Sequence, residues 1–161
     1  MRPVRIPGRL LEGMRRHARE TYPDECCGFL VAAQDPPAPD GPRSIVAAEP
    51  APNDFDGERR RRFVIRPEEL LSVEHSLEGT GRVVAGFYHS HPDHPALPSA
   101  FDQEHAWPWY TYLVLSVTAT ETPSIGAFEL DAVTGVFRET ELAVSLGDAE
   151  VRESLRASGL R

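Results

Sequence analysis

Cysteine is scarce in this 161-residue chain, and the two that are present, Cys26 and Cys27, are adjacent. Neighbouring cysteines cannot join separate elements through an ordinary disulfide. The sequence has no Cys-x-x-Cys pair, which argues against a thiolate zinc site and against a dithiol redox motif. On a strand, we expect one thiol to face each side and both to be buried as small apolar groups. A catalytic cysteine is the alternative, although no histidine is marked as its partner.

Long apolar runs and a signal-peptide pattern are also missing, so we expect no membrane span and a cytoplasmic location. The net charge of -8 argues against nucleic acid as a partner. Hydrophobic content of 40% and charged content of 26% are ordinary for a globular protein. The length predicts a single domain over residues 1–161.

Several catalytic motifs are absent as well. The chain has no P-loop, no Gly-x-Gly-x-x-Gly fingerprint and no His-Glu-x-x-His, which argues against common nucleotide-binding sites and one class of zinc peptidase. It also lacks the His-x-Glu and Pro-Cys-x-x-Cys pair of zinc deaminases.

Hydrophobic periodicity, together with the positions of Pro and Gly between the periodic segments, predicts a mixed α/β fold with a β-sheet flanked by helices. We expect residues Leu70, Leu71 and Val73 to face inward from the second helix. The predicted helices cover residues 7–22, 67–77 and 147–160, with a short one starting at 99. The predicted strands cover residues 25–33, 44–49, 63–65, 82–88, 110–117, 124–130 and 136–144, and segments 34–43 and 50–60 read as irregular.

The chemistry-bearing stretch follows the strand predicted over residues 82–88, which we expect to end where the histidines begin. His89 and His91 lie two residues apart, so in an extended segment both face the same side. Three nearby prolines favour a turning loop, after which Ser99 is placed at a helix N-cap with Asp102 in the first turn. Two imidazoles and a carboxylate suit Zn²⁺ and leave one tetrahedral position open, as in catalytic zinc sites.

Less specific interpretations of the same residues stay open. Ser-x-x-Asp is most often only a helix-capping signal. With 6 His in the chain, the joint pattern His-x-His-x₇-Ser-x₂-Asp should arise by chance on the order of once in a thousand such sequences. His94 and His105 are alternative metal ligands. His105 could instead hold a metal ligand in position without contacting the metal itself.

The pattern His89-Ser-His-Pro, Ser99 and Asp102 resembles the motif of the JAMM (MPN+) metalloproteases. The upstream segment from Asp24 to Val31 resembles the strand that carries that family's glutamate, and Glu25 stands in its place. The resemblance implies a cytidine-deaminase-like fold and zinc-assisted amide hydrolysis. It implies that His89, His91 and Asp102 hold zinc, that Glu25 is the general base and then acid, and that Ser99 donates a hydrogen bond to the oxyanion.

The resemblance also implies a protein substrate. Members of that family cleave bonds after the Gly-Gly tail of ubiquitin-like proteins. The Cys-Cys segment favours the small prokaryotic type, whose members act on ThiS- or MoaD-like sulfur carriers. The alternatives are a broader deconjugating isopeptidase and a non-catalytic scaffold of the same fold. Loops 50–61 and 103–109 are candidates for the substrate groove. The arginine run 59–62 is most simply a solvated surface, with substrate docking as the alternative.

Overall fold

The structure is a computed structural model that describes residues 1–34 and 41–147. Within these ranges the helices are α1 (Gly8–Thr21), α2 (Pro67–Leu77) and α3 (Ala100–His105). The first four strands are β1 (Val4–Pro7), β2 (Cys27–Ala33), β3 (Arg43–Ala51) and β4 (Arg82–Pro92). The other four are β5 (Thr111–Val117), β6 (Ser124–Leu130), β7 (Phe137–Glu139) and β8 (Leu142–Ser145).

The strands form one sheet in the order β7-β6-β5-β4-β2-β3-β1-β8. β4 and β5 are parallel, as are the pairs of β1 with β3 and β8, and the remaining pairs are antiparallel. The two edge strands, β7 and β8, are separated only by Thr140 and Glu141, so the sheet curls until its edges lie close together. The predicted mixed α/β architecture is confirmed.

Each face of the sheet is covered by a different helix. On one face, Leu11, Met14 and Ala18 of α1 pack in the larger core cluster, together with strand residues such as Leu30 and Leu113. On the other face, Phe29 and Val84 anchor a smaller cluster that α2 covers with its apolar side. In the described part of the chain, no helix has the length and apolarity needed to cross a bilayer.

Three details of the sequence prediction are wrong. β4 does not stop before the histidines, because its parallel pairing with β5 continues to Pro92 opposite Val117. Residues 63–65 are not a strand, although Phe63 and Ile65 still pack on the sheet beside α2. Leu71 is 62% exposed, because α2 turns only one side towards the core.

The N- and C-terminal parts of the chain also differ from expectation. β1 was not predicted, since four residues give only a weak alternating signal, yet Val4 and Ile6 are fully buried. The single strand predicted over 136–144 is two strands, β7 paired with β6 and β8 paired with β1. The helix predicted over 147–160 lies outside the described residues, apart from residue 147.

Gly86 in β4 is required by a close approach of the next strand. A Cβ added at this position would lie 1.8 Å from the carbonyl oxygen of Thr111, which is a backbone atom and cannot yield easily. We therefore expect Gly86→Ala to lower the free energy of unfolding by about 3 kcal/mol or more, measured by chemical denaturation. Gly13→Ala is the matched control, because nothing lies within 4 Å of its added Cβ in α1. The control should raise stability by about 0.5–1 kcal/mol, and equal effects of the two substitutions would contradict the packing argument.

Candidate metal-dependent active site

The site lies where β2 begins and the adjacent antiparallel strand β4 ends. His89 and His91 point to the same side of β4, as their spacing predicted, and their exposed fractions are only 1% and 7%. Ser90 turns the other way, where its Oγ accepts a hydrogen bond of 2.8 Å from the backbone N–H of Cys26. This bond fixes the start of β2 against the end of β4.

Asp102 reaches the histidines because Ser99 starts α3 through a capping box. The backbone N–H of Asp102 donates to Ser99 Oγ at 3.1 Å, and the backbone N–H of Ser99 donates to Asp102 Oδ2 at 2.6 Å. The Ser99 hydroxyl also donates to Oδ2, at 2.8 Å. The capping interpretation is therefore correct for this pair, and the same bonds orient the carboxylate towards His89 and His91.

Three ligand atoms form a nearly equilateral triangle. His89 Nε2 and His91 Nε2 are 3.0 Å apart, and Asp102 Oδ2 lies 3.4 Å from the first and 3.3 Å from the second. In a tetrahedral site with bonds of 2.0–2.1 Å, ligand atoms are about 3.3–3.4 Å apart. The triangle therefore fits a zinc-sized cation with a fourth position open, and His89, His91 and Asp102 form a possible metal site.

The surroundings of His91 favour the tautomer that a metal needs. Its Nδ1 lies 3.2 Å from the carbonyl oxygen of Pro95, which places the ring proton there and leaves Nε2 as a lone-pair donor. Burial acts to lower the pKa of His91, but Asp102 and then Glu25 outweigh it, and the pKa is raised. A metal ion at this site must therefore compete with a proton on His91.

His89 and Asp102 are held in the charge states that suit a metal site. His89 is stacked on Phe63 at 4.6 Å between ring centroids, and burial lowers its pKa, which keeps the ring neutral. Its Nδ1 is buried and has no hydrogen-bond partner in residues 1–34 and 41–147. Burial acts to raise the pKa of Asp102, but hydrogen bonds with His89 and His91 hold it well below its usual range.

Glu25 lies two residues before the start of β2, and only 4% of it is exposed. β2 and β4 pair with Cys27 opposite His89, and continuing this register places Glu25 opposite His91. Burial raises the pKa of the Glu25 carboxyl to about 8. No hydrogen bond to this carboxyl is found within the described residues. Its raised pKa allows it to take up and release a proton near neutral pH.

A cavity of about 300 Å³ brings these groups together. Its walls include Glu25, His91 and Ser99, so three of the five predicted site residues face one space. Arg61 also lines it, whereas no residue of the candidate groove loop 103–109 does. His94, Pro95 and Leu97 complete the lining.

The other sequence candidates lie outside the ligand triangle. His94 lines the cavity, but its ring is not among the grouped ligand atoms. His105 is exposed and packs on Phe101, with Nδ1 2.8 Å from the carbonyl oxygen of that residue. Cys26 and Cys27 are buried on opposite faces, as expected, and burial raises their thiol pKa values to about 11 and about 12, which disfavours a nucleophilic thiolate.

Asn53 is a site residue that the sequence interpretation missed. Its side-chain amide donates to the carbonyl oxygens of Glu25 at 3.1 Å and Arg62 at 3.0 Å. Its Oδ1 accepts from the backbone N–H groups of Phe55 and Val64. The Asn53 side chain therefore links residues 55–64, which include Arg61 of the cavity wall, to Glu25, which carries the buried carboxyl. An asparagine in a loop rich in Pro, Asp and Gly indicated a local turn, but not this longer-range contact.

A family model for prokaryotic homologues of the JAB domain matches residues 7–130. Desampylase of Haloferax volcanii is 40% identical over 105 residues, which cover 62% of this chain and 70% of that protein. CysO-cysteine peptidase of Mycobacterium tuberculosis is 30% identical over 93 residues, 58% of each chain. A probable TtuB-protein conjugate cleaving protease of Thermus thermophilus is 32% identical over 101 residues, covering 63% of this chain and 62% of that one.

Solved structures agree with these sequence matches. The solution structure of a protein from Desulfitobacterium hafniense is 28% identical, has a TM-score of 0.75 and covers 89% of this chain and 94% of its own. One from Salinibacter ruber is 31% identical, with a TM-score of 0.65 and coverage of 88% and 91%. The family expected from the motif at residues 89–102 is confirmed by the match over residues 7–130. The chain therefore belongs to the prokaryotic homologues of the JAB domain, a family of JAMM-type proteins.

Proposed function

We propose that this protein is a zinc-dependent peptidase that hydrolyses the amide bond after the C-terminal Gly-Gly of a ubiquitin-like protein of the sulfur-carrier type. The observation that carries the proposal is that one cavity is lined both by Glu25, a buried carboxyl with a raised pKa, and by His91, a member of the ligand triangle. The names of the relatives support the reaction class, since they describe a peptidase and a protease that cleaves protein conjugates.

Each residue has a role that its chemistry supports. His89, His91 and Asp102 would hold the zinc ion, which when bound supplies a Lewis acid and lowers the pKa of water in its open position. Glu25 accepts the proton of the attacking water and delivers it to the leaving amine, because its buried carboxyl lies opposite His91 and can act first as a base and then as an acid. The Ser99 hydroxyl, which has one proton and donates it to Asp102 Oδ2 in this structure, would turn from that oxygen to donate to the oxygen of the attacked carbonyl as negative charge develops there.

A second candidate is a broader isopeptidase that releases ubiquitin-like modifiers from lysine side chains. The specific observation in its favour is that one relative is named for cleaving protein conjugates. A non-catalytic scaffold is disfavoured, because a scaffold has no use for a buried carboxyl beside three converging metal ligands.

The deciding experiment measures metal content and cleavage together on the wild type. The substrates are a sulfur-carrier protein with one residue fused after its Gly-Gly tail and the same carrier joined to a lysine side chain. The proposal expects about one zinc per chain and faster cleavage of the linear fusion. Faster cleavage of the lysine conjugate would favour the isopeptidase, and a wild type without stoichiometric zinc would favour the scaffold.

Ser99→Ala separates the catalytic role of this serine from its capping role. We expect turnover to fall about a hundredfold or more, since one donor to a developing oxyanion contributes about 3 kcal/mol. Zinc should be retained, because His89, His91 and the Asp102 carboxylate remain. Stability should fall by about 1 kcal/mol through loss of the N-cap. The measurements are turnover, zinc content and chemical denaturation, and a variant that lost its zinc would assign Ser99 a purely structural role.

A further inference from the structure

The cavity at the proposed active site has a permanent positive charge in its wall, Arg61, to which the proposed hydrolysis assigns no role. The rest of the wall consists of groups with roles in the reaction, two apolar residues and one further imidazole, namely Glu25, His91, Ser99, Pro95, Leu97 and His94. A guanidinium beside the reacting groups favours a negatively charged part of the substrate as its partner.

The arginines of the run that includes Arg61 have different surroundings. The Nε of Arg59 donates to the carbonyl oxygen of Phe55 at 3.0 Å, and the guanidinium carbon of Arg62 lies 4.1 Å from the ring centroid of Phe101 in α3. Arg61 is exposed, and its guanidinium has no hydrogen bond, ion pair or ring contact within the part of the chain that the structure describes. Arg61 is therefore free to bind a ligand.

The backbone on either side of Arg61 is attached to the residue that would protonate the leaving amine. The backbone N–H of Glu25 donates to the carbonyl oxygen of Arg59 at 2.8 Å. The side-chain amide of Asn53 donates to the carbonyl oxygen of Glu25 at 3.1 Å, and also to that of Arg62 at 3.0 Å. Arg61 therefore lies at the Glu25 end of the cavity, which is the end where the leaving group departs.

We propose that Arg61 binds the α-carboxylate of the residue released from the Gly-Gly tail, so that the enzyme prefers a leaving group of one amino acid. This inference rests on the proposed function and names the substrate class of the same site. In a single leaving residue, the carboxyl carbon lies only about 2.5 Å from the amine nitrogen. Each further residue moves the carboxylate away by up to about 3.3–3.6 Å, and a lysine side chain brings no carboxylate near its nitrogen.

The negative charges around the cavity also require a cation for such a substrate. Among the described residues, Glu25 is the one acid in the cavity wall, and in its ionised form it would repel a carboxylate bound next to the leaving amine. Asp102 is directed away, towards His89 and His91 at 3.4 and 3.3 Å. The guanidinium of Arg61 would offset the repulsion from Glu25 and could form two parallel hydrogen bonds with the substrate carboxylate.

Two forms of one substrate isolate the contribution of the carboxylate. A sulfur-carrier protein carries a single alanine after its Gly-Gly tail, with either a free carboxylate or a C-terminal amide. We expect the wild type to cleave the free acid with a kcat/KM about tenfold higher, mainly through a lower KM, because solvent limits the gain from an exposed charged contact. Arg61→Gln should cleave the two forms with equal efficiency.

Arg60→Gln is the matched control, because it removes the same charge from the neighbouring exposed position outside the cavity wall. This control should keep the tenfold preference. Arg61→Lys should keep part of it, since the charge remains without the geometry for two parallel hydrogen bonds. Calorimetric binding to Glu25→Gln, in which cleavage should be suppressed, gives a readout apart from activity. The free acid should bind about tenfold more tightly than the amide.

Equal cleavage of both forms by the wild type would overturn the role of Arg61 and leave the proposed hydrolysis intact. An unchanged preference in Arg61→Gln would overturn it too. Loss of the preference in Arg60→Gln as well would do the same, because it would indicate long-range attraction instead of a contact. If His94→Ala alone lost the preference, the carboxylate would belong to that imidazole. If neither form is cleaved, the proposed function fails, and equal binding of both forms by Glu25→Gln would overturn the role of Arg61 as well.

Discussion

Replacing Glu25 by Gln should reduce cleavage of the carrier fusion by about 10²–10⁴-fold and leave the zinc content at about one per chain. The amide matches the carboxyl in size but cannot take the proton of the attacking water. The loss should appear in kcat, because the proposed role of Glu25 lies in proton transfer and not in substrate binding. The measurement is steady-state cleavage beside elemental analysis of the same preparations.

Glu25→Asp is the informative companion variant. It keeps an ionisable carboxyl but withdraws it by one methylene, so we expect part of the activity to survive with zinc unchanged. Glu25→Gln should also be at least as stable as the wild type, because it removes a buried ionisable group. Full activity in Glu25→Gln would refute the proton-transfer role. Loss of zinc in the same variant would show instead that Glu25 supports the metal site.

Replacing His91 by Ala should abolish both metal and activity. It removes one of three ligands, and the remaining pair, His89 and Asp102, cannot hold a tetrahedral zinc ion with comparable affinity. We expect less than about a tenth of the wild-type zinc after dialysis and activity at background. Zinc that stabilises the wild type should also raise its melting temperature, and this shift should disappear in His91→Ala.

His94→Ala and His105→Ala are the matched controls, since each removes an imidazole from the same stretch of chain. Neither ring belongs to the ligand triangle, so both variants should keep stoichiometric zinc. His94→Ala also removes part of the cavity wall, so its effect on substrate affinity is measured separately through KM. Loss of zinc in either control, with zinc retained in His91→Ala, would move the ligand assignment to the loop.

Sequence patterns predicted best those elements whose conformation is determined by their own residues and not by contacts with distant parts of the chain. α2 and β6 have the predicted bounds, because Pro67 starts the helix and the apolar-rich strand lies between Pro123 and Asp131. The failures occur where a distant partner decides the conformation. The backbone N–H of Val64 is taken by the side chain of Asn53, so an apolar triplet that resembles a strand has no partner strand.

The sequence predicted those parts of the site whose residues lie close together in the chain. The i, i+2 histidines and the capping box of Ser99 and Asp102 follow from strand and helix periodicity. The position of Glu25 depends on the register between β2 and β4, which a single sequence does not contain, and only the family resemblance indicated it. The stacking of Phe63 on His89 depends on tertiary packing in the same way.

The four bonds of Asn53 have a consequence for how independently segment 54–62 can move. They join the two ends of segment 54–62 through the Asn53 side chain and link that side chain to the backbone carbonyl of Glu25. The residues between the ends are held as well, because the backbone N–H of Glu25 donates to the carbonyl oxygen of Arg59 at 2.8 Å. A displacement of this segment would therefore also shift the backbone of Glu25, the residue that bears the buried carboxyl.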